Sequence, residues 1–309
     1  MQIPPFLKKG STVAITCPSG FIPKEQVYQA KDTLESWGFH VLIGKTVGES
    51  ENYFSADDTV RKEDLQHFLD HKNVDAILMG RGGFGMSRII DDLDFTQFIL
   101  QPKWICGFSD ITVIHSHIQT NYGIASLHSP MCSSLTEGNR EKDFLKSFLN
   151  VIQGFTVDYP IPYSSYNVEG RASGTIVGGN LAMLSHLSGS RSAMNTVDKI
   201  LFIEDIGEHL YGIDRMLYNL KRTGAFDRIK GVICGGFTDL EDTTRPYGKT
   251  IQEIILHHFS HLNIPILFDF PTGHINENYP LMLGVAHDLV VGKDFRTLLT
   301  RSKQDSNSI

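Results

Sequence analysis

The sequence predicts an α/β protein whose N-terminal half is built around a parallel, doubly wound sheet. Short apolar runs alternate there with segments of helical periodicity, which is the order of successive βαβ units. Two of the apolar runs pass directly into polar or glycine-rich turns, "RGGFG" at 81–85 and "SD" at 109–110. Sites in such folds lie at the carboxyl ends of the strands, so both turns are candidate site positions. The length of 309 residues allows about two domains.

The elements of the N-terminal half follow from these patterns. The helix at 23–38 places Val27, Ala30, Leu34 and Trp37 on one face and ends at Gly38. The predicted elements, in chain order, are strand 11–20, helix 23–38, strand 40–44, helix 56–73, strand 74–80 and strand 103–108. Asp57 or Asp58 is suited to cap the second helix.

The second half of the chain has a different pattern of predicted strands and helices from the first. Segment 154–174 contains prolines and a serine pair but no helical period, so we interpret it as a linker between domains 1–153 and 175–309. Beyond it, the predicted elements are strands 199–205, 231–237, 264–270 and 280–291, with a helix at 211–226. Many strands and few helices predict a β-rich second domain.

Composition excludes several classes of protein. Net charge is −7 and the basic residues are scattered, so no nucleic-acid surface is expected. The N-terminus lacks a signal-peptide pattern, and no apolar run approaches the ~18 residues that span a bilayer. The four cysteines, Cys17, Cys106, Cys132 and Cys234, stand far apart in or beside apolar stretches, which favours buried free thiols. We expect a cytoplasmic protein.

Ser109 ends the strand "KWICGF" on a turn that leads into a helix. The turn could expose a nucleophilic hydroxyl, or Ser109 could be an ordinary helix N-cap. A nucleophilic serine needs a base, usually a histidine oriented by a carboxylate.

Two residues of the second half match that requirement. His274 follows a strand and a tight "PTG" turn, which places its side chain at a strand end. Glu204 ends the apolar run "KILFI", where a carboxylate is costly without a partner. Glu204 could also cap the following helix, but Asp205 and Glu208 compete for that position.

The glycines of "GRGGFG" suggest a further element of a catalytic site. The segment lacks both the P-loop and the dinucleotide-binding spacing, so a nucleotide site is disfavoured. Its amides could instead stabilise an oxyanion, with Gly83 (or Gly82) as one donor and the N–H of Asp110 as the other. His115 and His117 have a poor spacing for a shared metal, and no cysteine cluster or H-E-x-x-H motif occurs, so no metal is expected.

Five ordered blocks of the chain resemble the LD-carboxypeptidase family. These are "GRGGFGMSRIIDDLD" (80–94), "CGFSDIT" (106–112), "VGGNLAML" (177–184), "LFIEDIGEHLYGIDRML" (201–217) and "PTGH" (271–274). The resemblance implies a Ser-Glu-His triad of Ser109, Glu204 and His274. It also implies a flavodoxin-like N-terminal domain, a β-rich swivelling C-terminal domain, a homodimer and no cofactor or metal.

The same resemblance implies an activity. We expect a serine peptidase that releases C-terminal D-alanine from murein tetrapeptides in cell-wall recycling. The rival within the family is a microcin-immunity-type peptidase, which removes the C-terminal adduct of a peptide–nucleotide antibiotic. The rival outside it is a non-catalytic, two-lobed peptide-binding protein.

Overall fold

The computed structural model describes residues 1–292 and 297–301. The strands of this part are β1 Thr12–Thr16, β2 His40–Ile43, β3 Ala76–Met79, β4 Trp104–Gly107, β5 Ser126–His128, β6 Gly170–Asn180, β7 Ile200–Ile206, β8 Gly231–Thr238, β9 Ile266–Leu267, β10 Leu281–Leu283, β11 Ala286–Val291 and β12 Thr297–Arg301. The α-helices are α1 Lys24–Ser36, α2 Asp58–Asp70, α3 Met86–Ile89, α4 Thr96–Leu100, α5 Thr112–Tyr122, α6 Asp143–Ile152, α7 Leu181–His186, α8 Leu210–Arg222 and α9 Ile251–Phe259.

The chain divides into two compact units. The N-terminal unit comprises Met1–Phe155 and Tyr279–Met282, and the C-terminal unit comprises Thr156–Asn278 and the described residues after Met282. The domain limits predicted from sequence, with a linker at 154–174, stay a prediction. Strand β6 begins at Gly170, within the range assigned to that linker.

The N-terminal unit contains a six-stranded sheet in the order β10-β5-β4-β3-β1-β2. The pairings among β1 to β5 are parallel, and their order is the flavodoxin-like 2-1-3-4-5. The predicted parallel, doubly wound sheet is therefore confirmed. The strand order reverses at β1, because β2 lies on one side of it and β3 on the other, so a crevice is expected where β1 and β3 end.

The C-terminal unit contains a second six-stranded sheet in the order β12-β11-β6-β7-β8-β9. Strands β6 to β9 are parallel, whereas β11 pairs antiparallel with both β6 and β12. Apolar side chains of β7, α8 and α9 share one buried core, which includes Leu201, Leu217 and Phe259. The predicted β-rich second domain is confirmed.

The strand predicted at 280–291 is wrong as a single element. The structure divides it into β10, which joins the first sheet, and β11, which joins the second. Gly284 lies between them with φ +80°, a left-handed conformation that ends a strand and that glycine adopts without strain. The turn was concealed because the residues on both sides of Gly284, at 281–286, are apolar and no polar residue marks it.

Candidate active site

Ser109 lies two residues beyond the end of β4, at the carboxyl edge of the first sheet. Its φ is +66°, in the left-handed region that residues other than glycine rarely occupy. Ser109 also begins a single 3₁₀ turn, Ser109–Ile111, that leads into α5. A strained conformation of this kind persists only where the surrounding structure holds it in place. Such conformations are concentrated at functional sites.

Gly82 packs directly against Ser109. A Cβ placed on Gly82 would lie 2.8 Å from Cβ and 3.1 Å from Oγ of the serine, so only glycine fits there. Gly20, from the turn after β1, donates its N–H to the carbonyl of Gly82 at 3.0 Å. The turns after β1, β3 and β4 therefore meet around the serine.

The carboxylate of Asp110 connects the same turns. It is 1% exposed, and its Oδ2 accepts from the Ser19 hydroxyl at 2.6 Å and from the Met86 amide at 2.8 Å. Sequence reasoning considered only the backbone N–H of Asp110 and missed this contribution of the side chain. An acidic residue directly after a candidate nucleophile was the available signal.

His115 forms a hydrogen bond with the end of β4, just before Ser109. It is fully buried on α5, with Nε2 2.9 Å from the carbonyl oxygen of Gly107. Burial lowers the pKa of His115 to about 4, although the bond to Gly107 opposes this shift. The ring is therefore neutral and donates from Nε2 to a residue two positions before Ser109.

Glu204 and His274 form a close pair in the C-terminal unit. The Oε2 atom of Glu204 lies 2.6 Å from Nδ1 of His274 and 3.1 Å from the backbone nitrogen of the same residue. The Glu204 side chain is fully buried, whereas that of His274 is 15% exposed. An ionised carboxylate only accepts, so Nδ1 donates, and in the neutral ring the basic lone pair is on Nε2.

The environment of His274 favours its protonated form. Burial lowers the pKa of His274, but the hydrogen bond and the charge of Glu204, together with the charge of Asp205, outweigh burial and raise it. A histidine base oriented by a carboxylate acts in this way in serine hydrolases, where the imidazolium is stabilised as it forms.

Glycines make room for Glu204 beneath the histidine. The pairing of β7 with β8 passes from Ile203↔Cys234 to Asp205↔Phe237, so Gly235 and Gly236 form a bulge opposite Glu204. A Cβ placed on Gly273, whose φ is +113°, would lie 2.7 Å from Oε2 of Glu204. The adjacent glycines at 235–236 were a sequence signal for this bulge that the sequence analysis did not use.

Asp205, the residue after Glu204, binds the start of α7 and not His274. Its carboxylate accepts from the Ala182 amide at 2.9 Å and from Asn180 at 2.8 Å, at the start of α7. Burial raises the pKa of Asp205 to about 7; a hydrogen bond from Ile206 opposes the rise and the charge of Glu204 adds to it. Asp205 therefore binds the first turn of α7, whose N-cap residue is Asn180. Glu204 lies inside β7, and the alternative of Glu204 as a helix cap is wrong.

Comparison with known proteins decides the family. Residues 13–129 match the LD-carboxypeptidase N-terminal domain, and residues 173–289 match the LD-carboxypeptidase C-terminal domain. The probable murein peptide carboxypeptidase of Bacillus subtilis is 30% identical to this chain over 290 residues, or 91% of this chain and 89% of that protein. The chain belongs to the LD-carboxypeptidase family.

Solved structures of similar proteins share the fold of this LD-carboxypeptidase family member. The muramoyltetrapeptide carboxypeptidase from Oxalobacter formigenes has a TM-score of 0.85 and 27% identity, covering 95% of this chain and 99% of that one. An MccF-like protein from Bacillus anthracis has a TM-score of 0.83 and 26% identity, covering 97% and 99%. The predicted family resemblance and fold class are both confirmed.

The site residues predicted for this LD-carboxypeptidase family member are distributed over both units. Ser109, Gly83 and Asp110 belong to the N-terminal unit, and Glu204 and His274 belong to the C-terminal unit. The structure brings Glu204 and His274 together, while the triad as a whole and the two oxyanion donors stay predictions. Of the two candidate glycines, Gly82 packs on Ser109, whereas a Cβ on Gly83 would lie 3.1 Å from the Tyr53 hydroxyl.

Other sequence predictions for this LD-carboxypeptidase family member concern cysteines, metals and membranes. All four cysteines are buried free thiols, as predicted, and burial raises the pKa of Cys17 to about 12, with the charge of Asp64 adding to the rise. Across the described ranges, no cluster of His, Cys, Asp and Glu has the arrangement of a metal site. None of the helices in the described part of the chain combines the length and apolar character that a bilayer crossing needs.

Proposed function

We propose that this chain is a serine-type LD-carboxypeptidase that releases C-terminal D-alanine from murein tetrapeptides. The observation that carries the proposal is the Glu204–His274 pair, because a buried carboxylate orients Nδ1 and leaves Nε2 as the base. The family, and the murein substrates named for the relatives in Bacillus subtilis and Oxalobacter formigenes, support a carboxypeptidase for murein peptides.

The proposed mechanism assigns one step to each residue. The Nε2 atom of His274 takes the proton of Ser109 as the hydroxyl attacks the carbonyl before D-alanine. Glu204 fixes the tautomer and stabilises the imidazolium. The amides of Asp110 and of Gly83 or Gly82 hold the oxyanion, and the loss of one such donor costs about 3 kcal/mol.

The second half of the reaction reverses these proton transfers. The imidazolium of His274 protonates the amine of D-alanine as the peptide bond breaks, and the rest of the peptide stays as an ester on Ser109. His274 then takes a proton from water as the water attacks the ester, and returns this proton to Oγ as the acyl bond breaks, which restores Ser109 and the neutral ring. We further propose that the enzyme acts in the cytoplasm as a homodimer during cell-wall recycling.

The decisive experiment is to incubate the purified protein with a murein tetrapeptide and to measure free D-alanine. A serine-reactive phosphonate that labels Ser109 and stops the release would support the assigned nucleophile. A folded protein that binds the tetrapeptide reversibly, without turnover or labelling, would contradict the proposal and support a peptide-binding protein.

A second candidate function is cleavage of a peptide–nucleotide antibiotic. Its support is the likeness to the MccF-like protein of Bacillus anthracis at 26% identity, comparable to the 27% of the Oxalobacter formigenes enzyme. Parallel assays with a murein tetrapeptide and with an aminoacyl sulfamoyl nucleoside separate the two. Release of D-alanine alone supports the murein enzyme, and cleavage of the nucleoside conjugate alone supports the second candidate.

A further inference from the structure

A carboxypeptidase must recognise the free carboxylate at the end of its substrate. In a peptide that ends one residue beyond the scissile bond, this carboxylate is one residue from the attacked carbonyl, about 3.8 Å along the chain. An unpaired carboxylate placed in a partly dehydrated cleft is costly, so a cation is expected near the nucleophile. The proposed mechanism does not assign that cation.

Arg81 is placed to supply it. It follows β3 at the carboxyl edge of the first sheet and directly precedes Gly82, which packs on Ser109. A Cβ placed on Gly20 would lie 3.8 Å from Cδ and 3.9 Å from Nε of Arg81. Since Gly20 also binds the carbonyl of Gly82, the Arg81 side chain lies along the turns that surround the serine.

The guanidinium of Arg81 retains most of its binding capacity. The side chain is exposed, and its hydrogen bond from Nη1 to the carbonyl of Phe21 is long, at 3.3 Å. Within the part of the chain that the structure describes, Arg81 forms no ion pair with a carboxylate. A guanidinium has five N–H donors, so a second acceptor can still be bound in the bidentate geometry that carboxylates favour.

The other two arginines near these turns, Arg61 and Arg88, already bind a carboxylate within the protein. Arg61 is fully buried and donates to the carbonyls of Pro18 and Ala56 and to the carboxylate of Asp58. Arg88 binds both carboxylate oxygens of Asp58 at 2.6–2.9 Å. One aspartate thus pairs with both of these cations, while Arg81, on the same edge, has no carboxylate partner among the described residues.

We propose that Arg81 binds the C-terminal carboxylate of the peptide substrate and thereby makes the enzyme an exopeptidase. This assignment rests on the proposed function, since it specifies how the same site selects the end of a chain. The substrate class is a peptide with a free α-carboxylate one residue after the scissile bond. Arg81 would hold that residue as the leaving group while Ser109 attacks the preceding carbonyl.

The test compares two substrates in each of several variants. Murein tetrapeptides ending in D-alanine and in D-alanine amide differ only in the carboxylate, and kcat/KM is measured for both. Wild type should prefer the acid, and Arg81→Met, which keeps the stem without the charge, should lower kcat/KM for the acid by about 30-fold or more. The amide should change by less than about threefold, and Arg81→Lys should restore part of the preference for the acid.

Arg88→Met is the matched control, because it removes a nearby guanidinium that is already paired with Asp58. It should change both substrates by the same factor. An equal loss on acid and amide in Arg81→Met, or equal turnover of both substrates by wild type, would overturn the assignment of Arg81 while leaving the peptidase activity established. Absence of D-alanine release from wild type would overturn the proposed function, and the assignment of Arg81 with it.

Discussion

Oε2 of Glu204 accepts two hydrogen bonds from one residue, His274: it lies 2.6 Å from the ring Nδ1 and 3.1 Å from the backbone nitrogen. The backbone N–H fixes the carboxylate oxygen relative to the turn that carries the histidine. Oε2 of Glu204 is thereby held in position to accept from Nδ1, which keeps the neutral ring in the tautomer with its proton on Nδ1. Because the carboxylate is fully buried, its charge acts on the histidine with little screening by water.

The first prediction concerns the pH dependence that this pair produces. Burial lowers the pKa of His274, but the bond and charge of Glu204 raise it above its ordinary value. Only the neutral ring accepts a proton, so kcat/KM should rise with pH through this raised pKa. In Glu204→Gln the raising contribution is lost, so the midpoint should move to lower pH and kcat should fall strongly.

The measurement is a pH profile of kcat/KM for both proteins on the same tetrapeptide. Asp205→Asn is the matched comparison, since Asp205 is adjacent but binds the start of α7 rather than the histidine. It should move the midpoint less than Glu204→Gln does. An unchanged profile in Glu204→Gln would remove Glu204 from the catalytic set.

The second prediction concerns backbone strain at Ser109, the proposed nucleophile. Ser109 has φ +66°, and the left-handed conformation costs an L-residue about 1–2 kcal/mol that glycine does not incur. Ser109→Ala and Ser109→Gly should both abolish turnover. The glycine variant should nevertheless unfold with a free energy about 1 kcal/mol higher than the alanine variant.

Unfolding can be followed by tryptophan fluorescence in urea. Both tryptophans, Trp37 and Trp104, belong to the N-terminal unit, so the signal reports the unit that carries Ser109. An alanine variant as stable as the glycine variant would show that the turn is not strained. Residual turnover above about one part in a thousand in either variant would indicate another nucleophile.

The third prediction concerns the contact between Gly82 and Ser109. A Cβ on Gly82 would lie 2.8 Å from Cβ of Ser109, so Gly82→Ala must displace the serine or its turn. Catalysis should fall by about 100-fold, because a shift of about 1 Å is enough to misalign an attacking atom. The stability loss should stay near 1–3 kcal/mol, as for other overpacked positions.

Gly138→Ala is the control for this variant. Gly138 lies in the same unit, and a Cβ placed there would have no neighbour within 4 Å. Its activity should match wild type. If Gly82→Ala retained full kcat, the turn after β3 would not limit the position of the serine.

Much of this arrangement could be predicted from the sequence because the signals are local. Alternating apolar and helical segments gave the N-terminal sheet, and Glu204 was notable as a charge at the end of an apolar run. His274 was notable because a tight turn follows a strand. These patterns depend on neighbours in the chain, so a single sequence contains them.

Features that depend on distant contacts were not predicted. The division of 280–291 between two sheets and the contacts of the buried Asp110 carboxylate each require a partner far away in the chain. The bond of His115 was missed for a different reason, since its partner Gly107 is only eight residues away, but the histidines at 115 and 117 suggested only a question of metal spacing. The bond forms once α5 brings Nε2 of His115 to the carbonyl oxygen of Gly107, the last residue of β4.

The last prediction follows from His115 and concerns stability rather than turnover. Burial lowers its pKa to about 4, whereas the unfolded chain binds a proton near the ordinary value of 6.5. Between these two values the unfolded state binds more protons than the folded state, so stability is lost as the pH falls from about 6.5 towards 4. Above about 6.5 this contribution is fully present, and over the whole window it amounts to about 3 kcal/mol.

His115→Gln tests the idea because glutamine keeps an N–H donor for Gly107 but does not titrate in this range. Urea unfolding of both proteins is measured between about pH 4 and 8 by tryptophan fluorescence. Subtracting the two curves cancels the carboxylates that both proteins share. The difference should be flat above about pH 6.5 and should fall at lower pH with a slope approaching 1.4 kcal/mol per pH unit. A difference that stays flat down to pH 4 would show that His115 protonates as readily in the folded protein as in the unfolded chain.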